Sequence, residues 1–350
     1  MSQVLEIINP VEHPRWDDLV ASRPEGTFFH TSMWAAVLSE SYGYRPVYFA
    51  LPASGGLPAC IPIMEVRSFL TGARGVSLPF TDYCEPITNG EITTEDILGP
   101  LIEHGTRAGW RHIEIRGGQE FFGGHTPSSR YIGHRLDLSG GGGRGGGEKD
   151  LYSGLKPSTK RNIKKALRAG VEARIHNSLE SVKEFCRLNR LTRKRHGLPP
   201  QPWRFFENIH KHVISRGHGF VILATLEKRV VAGAVFFHFN KKALYKFGAS
   251  DERYLDSRAN NLVMWEAIRW YSAKGYESFC FGRTETPNRG LRDFKAGWGP
   301  QERTINYYKY DLSKKEFVRD PERSAGYRFF NRTPMPVLSA IGNLLYRHIG

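Results

Sequence analysis

The apolar positions of this chain change period several times, and two stretches repeat the same order of changes. The first runs PVYFALPASGGLPACIPIMEV, then GVSLPFTDYCEPI, then ILGPLIEHGTRAGWRHIEIRGG. The second runs GFVILATLEKRVVAGAVFFHF, then KALYKFGASDERYL, then NLVMWEAIRWYSAKGYESFCFGR. Each predicts strand, tight turn, strand, third strand, helix, glycine and closing strand. The turns fall at ASGG and EKR, between apolar runs, as hairpins require. In the second copy Met264, Ala267, Ile268 and Tyr271 lie at helical spacing, and Gly275 is the stop. A repeat this long predicts one architecture used twice.

Between the copies lies LSGGGGRGGGEKD. Gly141, Gly143 and Gly146 satisfy G-x-G-x-x-G, but nearly every residue there is glycine, and a dinucleotide site needs a strand before the motif and a helix directly after it. The segment reads as a flexible linker and as the internal site most open to protease. Next, LKPSTKRNIKKALRAGVEARI predicts a helix opened by Pro157 and Ser158 and stopped by Gly170, with Ile163, Ala166 and Leu167 as its apolar stripe. The following helix opens at Asn177, with Glu180 in a capping-box relation. From Ser313 onward Arg, Lys and Pro are frequent, and PVLSAIGNLLYRHIG closes the chain. Val337, Leu338, Ile341, Leu344, Leu345 and Ile349 fit one helical face, suited to docking on the protein's own surface. The second reading is rest on a membrane, with the basic residues of Tyr327–Arg332 alongside. The domain boundaries drawn from these changes are 1–139, a linker at 140–150, 151–312, and a basic tail at 313–350 ending in an amphipathic helix.

Composition sharpens the picture at one point. A chain of 350 residues suits two domains. Its net charge of +15 and pI near 9.7 imply an anionic partner: nucleic acid, a phosphorylated substrate or an anionic membrane. No Asp or Glu occurs between Asp150 and Glu172, and RLNRLTRKRHGLPPQPWRFF is a second acid-free stretch. Like charges one helical turn apart cost stability, which an anionic ligand relieves. The plainer reading is a solvated basic face. Four dispersed cysteines without C-x-x-C exclude a disulfide framework and a zinc-finger pattern. The start has no signal-peptide pattern and no apolar run is long enough to span a bilayer, so a cytoplasmic location is expected, with membrane association as an addition to it. There is no G-x-S-x-G, P-loop, H-E-x-x-H or clustered metal ligand. The histidines are dispersed, and His30 and His238 read as structural residues. Phe29 and Trp34 read as core.

The densest charge follows the last strand of the second copy, in CFGRTETPNRGLRDFKAGWGPQ. An apolar run stops at Phe281. Then Arg283, Glu285, Asn288, Arg289, Arg292, Asp293 and Lys295 are interleaved with Gly290, Gly297 and Gly299. A plain connector would use Ser, Asn and Asp. This one reads as a charged loop, Phe281–Gly299, built to hold an anion or a group that becomes anionic.

LKPSTKRNIKKALRAGVEARI, RLTRKRHGLPPQP, VAGAVFF, NNLVMWEAI and FGRTETPNRGLRDFKAGWGPQERTINYY together resemble the FemAB-like branch of the GNAT superfamily of N-acyltransferases. That branch includes the aminoacyl-tRNA-dependent peptidoglycan bridge enzymes and other bacterial acyltransferases. The resemblance is strongest over Leu151–Leu312. It implies an α+β fold of two tandem GNAT-like domains, with mixed, mostly antiparallel sheets flanked by helices and a parallel pair splayed near the site. It implies transfer of an acyl or aminoacyl group onto an amine acceptor, a cell-envelope precursor or other small or lipid-linked molecule. It implies no tightly bound cofactor and aminoacyl-tRNA as the donor. The alternatives are an acyl-CoA donor and, from another class, a catalytically inactive nucleic-acid-binding module.

The roles of Lys295 and of the Asp82–Tyr83 region follow from the resemblance, and those of the other site residues from side-chain chemistry. Lys295, in the FK-x-GWG segment, stabilises charge near the transferred acyl group, from an exposed loop where its loss would cost little stability. Glu285 is the candidate base, ahead of Asp293. Arg283 and Arg289 hold phosphate or carboxylate, with Asn288 and Asp293 as further substrate contacts. Asp82 and Tyr83, in LPFTDYCEPI, help form the acceptor pocket. Coenzyme-A-using members carry a Q/R-x-x-G-x-G/A loop at the start of the central helix. Arg258 can open that motif here, but Asn261 and Val263 stand where its glycines belong. The loop is therefore either degenerate but working or made for a donor without coenzyme A. Arg258 and Asn260, with Lys160, Arg161 and Lys164, are the donor phosphate contacts. A structural reading of the same loop pairs Asp293 with Arg289 and uses Trp298 as a plug.

Overall fold

A computed structural model describes residues 5–53, 56–90, 92–140, 147–320, 330 and 332–349. Its first elements are β1 (Glu6–Ile8), α1 (Trp16–Ala21), α2 (Ser32–Tyr42), β2 (Arg45–Pro46), β3 (Tyr48–Ala53), β4 (Gly56–Ile61), β5 (Met64–Ser68), β6 (Gly72–Val76), β7 (Ile87–Thr88), α3 (Thr94–Arg107), β8 (Trp110–Arg116), α4 (Gln119–Phe122) and β9 (Ser129–Asp137). There follow α5 (Glu148–Ser153), α6 (Pro157–Arg168), β10 (Glu172–His176), α7 (Leu179–Arg195), α8 (Trp203–Ile209), β11 (Gly219–Leu226), β12 (Arg229–Phe239) and β13 (Lys242–Ser250). The last are α9 (Ala259–Ala273), β14 (Ser278–Glu285), α10 (Arg289–Ala296), β15 (Gln301–Asp311), β16 (Glu316–Phe317) and α11 (Met335–Leu345).

These elements form two compact units that do not follow chain order. The first takes the residues up to Tyr131 and recruits Thr304–Ser324 and Leu344–Gly350 from near the other end of the sequence. The second takes Ile132–Arg303 and Ala325–Asn343. Residues 141–146 of the expected linker lie outside the described residues, while Glu148, Lys149 and Asp150 already belong to α5.

In the first unit β1, β3, β4 and β7 make one sheet, and β15, β8, β6, β5 and β2 lie side by side in another. The hairpin crosses from one sheet to the other at Val47, whose N–H donates to the Ile63 carbonyl. The expected third strand does not form as one piece. β6 ends at Val76, Leu78 and Phe80 take left-handed backbone, and Ile87–Thr88 joins the other sheet. β6 and β8 run parallel. Trp110 is wedged in this core: a Cβ on Gly75 would lie 2.2 Å from its ring, and its indole N–H donates to Glu65 at 2.7 Å.

The second unit orders its strands β10, β11, β12, β13, β14, β9. β10 through β13 are antiparallel neighbours. β13 and β14 are parallel and pair over Lys242–Leu244 and Ser278–Cys280. α9 and α6 share an apolar core with Ile222, Ala234 and Phe236. Gly233, the next residue along β12, has no Cβ and lies against Phe185 of α7. Alternation along a strand therefore puts α9 and α7 on opposite faces of the sheet.

Local details correct the sequence reading by small steps. Lys156 is the N-cap of α6 and Pro157 its first residue, as suits a proline that has no N–H to lose. Ile163 and Ala166 are buried with Thr159, but Leu167 is exposed. The α7 cap is Ser178, not Asn177; its hydroxyl accepts from the Ser181 N–H. In α11 Leu338 is buried, while Val337 and Leu344 are exposed.

Two histidines set an acid limit on stability. Burial pushes His238 down to about 4, although its ring lies 2.7 Å from the Gly217 carbonyl. Burial, with the Lys309 charge next, pushes His112 down to about 4. In the unfolded chain both titrate near their ordinary value of about 6.5. The unfolded state thus binds protons that the folded state refuses. The stability is complete above about pH 6.5 and falls as pH drops toward about 4. Urea midpoints measured across this window are expected to fall with pH, and His238→Gln to flatten the fall. Equal slopes for the two proteins would remove His238 from the account.

Candidate active site

The charged segment is a strand end, a turn and a helix rather than one loop. β14 continues past Phe281 to Glu285. The Asn288 N–H donates to the Glu285 carbonyl, and Asn288 Oδ1 caps α10 by accepting from the Leu291 N–H at 3.1 Å. The capping role explains an asparagine at this position without a ligand. α10 presents Arg289, Arg292 and Asp293 to solvent and turns Lys295 inward. Arg289 makes no ion pair among the described residues, so the Asp293–Arg289 pairing does not form. Arg292 instead clamps Glu302 with bonds of 3.0 and 2.6 Å.

Lys295 is 2% exposed, against the expectation of an exposed loop residue. Its Nζ donates to the carbonyls of Gly282 at 3.2 Å and Arg283 at 2.8 Å. Successive carbonyls of a regular strand point opposite ways. Gly282, at φ 71°, takes the left-handed conformation that glycine adopts freely, and two neighbouring carbonyls can then converge on one ammonium. Arg283 is half-buried and Glu285 lies at the exposed end of the strand.

Several polar groups of the second unit carry no motif in the sequence. His134, on β9, is 1% exposed, with Nε2 3.2 Å from Glu302. Burial, then the Lys295 charge, holds its pKa below the ordinary value, so the ring is neutral beside the ammonium. The Arg292 bonds hold Glu302 below the usual carboxylate range. The Thr284 hydroxyl and the Trp298 indole N–H are buried without a hydrogen-bond partner. Unmet buried donors call for a ligand or a water. Tyr245 lies on β13 just past the last residue paired to β14. Burial pushes its phenol up to about 12, and its hydroxyl occupies the space a Cβ on Gly248 would need. An inward-facing position on a strand was the available signal for His134 and Tyr245, and alternation alone does not separate such a residue from core.

The expected donor contacts are spread over α6 and the start of α9. Lys160 is engaged within the fold: Nζ donates to the Ser153 carbonyl at 2.8 Å and lies over the Tyr152 ring. Arg161 and Lys164 are exposed. Arg258 takes left-handed backbone between a short 3-10 turn and α9, and its side chain is exposed. Asn260 is half-buried. Asn261 and Val263, which stand where the motif glycines belong, are buried, Val263 as part of the apolar core. Just before this turn, a cleft of about 410 Å³ is lined by Lys194, Arg195, Asp251 and Arg253 among others. Arg195 Nη1 is buried there without a hydrogen-bond partner. Asp82 and Tyr83 belong to the first unit, where the Asp82 carbonyl accepts the Tyr307 hydroxyl at 2.6 Å.

Among the described residues no group of three His, Cys, Asp or Glu could hold a metal ion, and no helix is long and apolar enough to cross a membrane.

Residues 156–296 match the family described as Acetyltransferase (GNAT) domain. No curated protein matches the sequence. Among solved structures, FemX superposes with a TM-score of 0.67 at 14% identity, covering 89% of this chain and 97% of that one. L-PGS from Bacillus licheniformis superposes at 0.54 with 11% identity, covering 99% of each chain. A tandem GNAT protein from the clavulanic acid biosynthesis pathway superposes at 0.51 with 10% identity, covering 88% of this chain and 98% of that one. At these identities the superpositions establish the fold, an α+β arrangement of GNAT type.

Proposed function

From the premise that this chain is a GNAT acyltransferase of the FemAB-like branch, we propose that it transfers an aminoacyl group from tRNA to an amine acceptor of the cell envelope. The observation that carries the chemistry is the buried Lys295 ammonium, fixed on two carbonyls of β14 just past the point where β13 and β14 stop pairing. Attack of the amine on the aminoacyl ester forms a C–N bond and places negative charge on the carbonyl oxygen. Lys295, a fixed positive charge in a dry setting, stabilises that oxygen. Glu285 takes the proton the amine loses. Collapse breaks the ester C–O bond, and the proton held by Glu285 passes to the departing ribose oxygen of tRNA, which leaves as a hydroxyl. Arg283 orients an anionic group of the bound substrate, and the neutral His134 avoids adding a second positive charge next to Lys295.

The donor assignment is supported by the replacement of both motif glycines near the start of α9 by Asn261 and Val263, and by the exposed Arg161 and Lys164. The envelope acceptor rests on likeness to FemX and L-PGS. A second reading, an acyl-CoA donor, is favoured by the acetyltransferase family match.

Phosphate contacts release counterions, so tRNA binding is expected to weaken steeply with salt, and replacing both Arg161 and Lys164 with Ala to lower the log–log slope by about 2. Filter binding against salt measures this. The deciding assay offers charged tRNA and acyl-CoA separately with an amine acceptor and follows product by mass spectrometry. Transfer from acyl-CoA without tRNA would replace the first reading with the second.

A further inference from the structure

The β5–β6 turn exposes two large apolar side chains in sequence. Phe69 is 80% exposed and Leu70 55%. Exposed apolar residues are ordinary when scattered. These two are not scattered. The Phe69 ring packs edge-on against His348, with centroids 4.6 Å apart, and His348 is followed by Ile349, 55% exposed. Leu344, 58% exposed, lies four residues before His348, one helical turn away.

The structure holds these residues together with buried polar groups. Arg74, 6% exposed, donates to the His348 carbonyl at 2.9 Å, and the Thr71 hydroxyl donates to the same oxygen at 3.1 Å. The Ser68 hydroxyl accepts from the N–H groups of Leu70 and Thr71, which fixes the shape of the turn. Gly72 has φ 79° and lies against the Arg111 side chain, so the turn also cannot be closed by another residue cheaply. A rigid turn thus presents a phenyl and an isobutyl group to water, beside an isoleucine tied to it through one carbonyl. Arg111, whose side chain lies against Gly72, and Arg347, the residue before His348, are both exposed.

We propose that this plate is an interfacial membrane anchor that inserts Phe69, Leu70 and Ile349 into the headgroup boundary of an anionic bilayer. A rigid apolar tip with flanking arginines suits that boundary, where apolar burial and attraction to anionic lipid act together. Charge complementarity selects the lipid: the chain carries +15. The inference does not depend on the donor or the acceptor of the transfer reaction.

Sedimentation of the full chain with vesicles tests it. Phosphatidylcholine vesicles containing about one-third phosphatidylglycerol are expected to bind the protein at low salt, and pure phosphatidylcholine to bind it much less. Replacing both Phe69 and Leu70 with Ser should weaken partitioning about tenfold or more, because two apolar side chains no longer leave water. Its thermal unfolding should match the parent, since both side chains are exposed. Phe69→Trp should shift its emission to the blue when anionic vesicles are added. Absence of binding by the parent, or equal binding by the double variant, would overturn the proposal. So would a concentration-dependent dimer abolished by the double variant, since a second copy would then be the occupant.

Discussion

Replacing Lys295 with Ala is expected to lower turnover by about ten- to a thousandfold, the range seen when a donor to a developing oxyanion is lost. Stability should fall as well. The side chain is 2% exposed and satisfies the Gly282 and Arg283 carbonyls. Alanine would strand both and leave a cavity, a combined cost of about 2–4 kcal/mol. The two effects come apart in Lys295→Met, which refills most of the space without a charge. Urea unfolding should show much of the stability regained, while steady-state rates stay low. Lys295→Arg should recover neither fully, because a planar fork does not fit a point-charge position between two carbonyls. A folded Lys295→Ala protein with normal turnover on its substrate would make this lysine a structural tie and nothing more.

Gly75→Val is expected to cost the first unit about 3 kcal/mol or more, through overpacking that has no easy relief. Trp110 cannot move aside. A Cβ on Gly75 would stand 2.2 Å from its ring, a Cβ on Gly105 would stand 2.9 Å from the same ring, and its N–H is held by Glu65. Glu65 is itself fixed by Arg67 at 2.9 Å and Arg45 at 3.4 Å. Smaller damage is expected from Gly75→Ala, and a compensating Trp110→Phe should recover part of it. A thermal midpoint within error of the parent for Gly75→Val would mean that the β6–β8 region repacks more freely than its geometry implies. The changes lie in the first unit, whereas Lys295 lies in the second.

Much of the second unit was legible because its elements are long and their periods clean. β11, β12, α9 and β14 fall where alternation, helical spacing and Gly275 put them. The first unit was less legible. Its third strand broke at Leu78 and Phe80, two bulky residues in left-handed backbone, a conformation that propensity argues against. The exchange of β15 into the first unit had no local signal at all, since strand partners are chosen by the whole fold. At the candidate site, charge density suggested one loop over the Arg283–Lys295 segment, whereas the structure has a strand end, a turn and a helix there. Arg283 and Lys295 come together. Asn288 turned out to cap a helix and Lys160 to pin α5, and a polar side chain's partner cannot be read from its type. His134 and Tyr245 were missed because a lone polar residue on an apolar strand face is usually core.

The borrowing of β15 has a consequence for how the protein is made. β8 pairs with β15 from Arg116 against Tyr307 to His112 against Asp311. On the ribosome, residues to Tyr131 therefore emerge with one side of β8 unpaired, and the missing strand arrives only after the second unit's sheet has been synthesised. The earlier half of the chain is completed later. Long-range pairing of this kind is slow, and an open strand edge in the waiting intermediate is a site for misassociation. A fragment ending near Tyr131 should be insoluble for this reason, and supplying residues 304–320 as a peptide should improve its recovery.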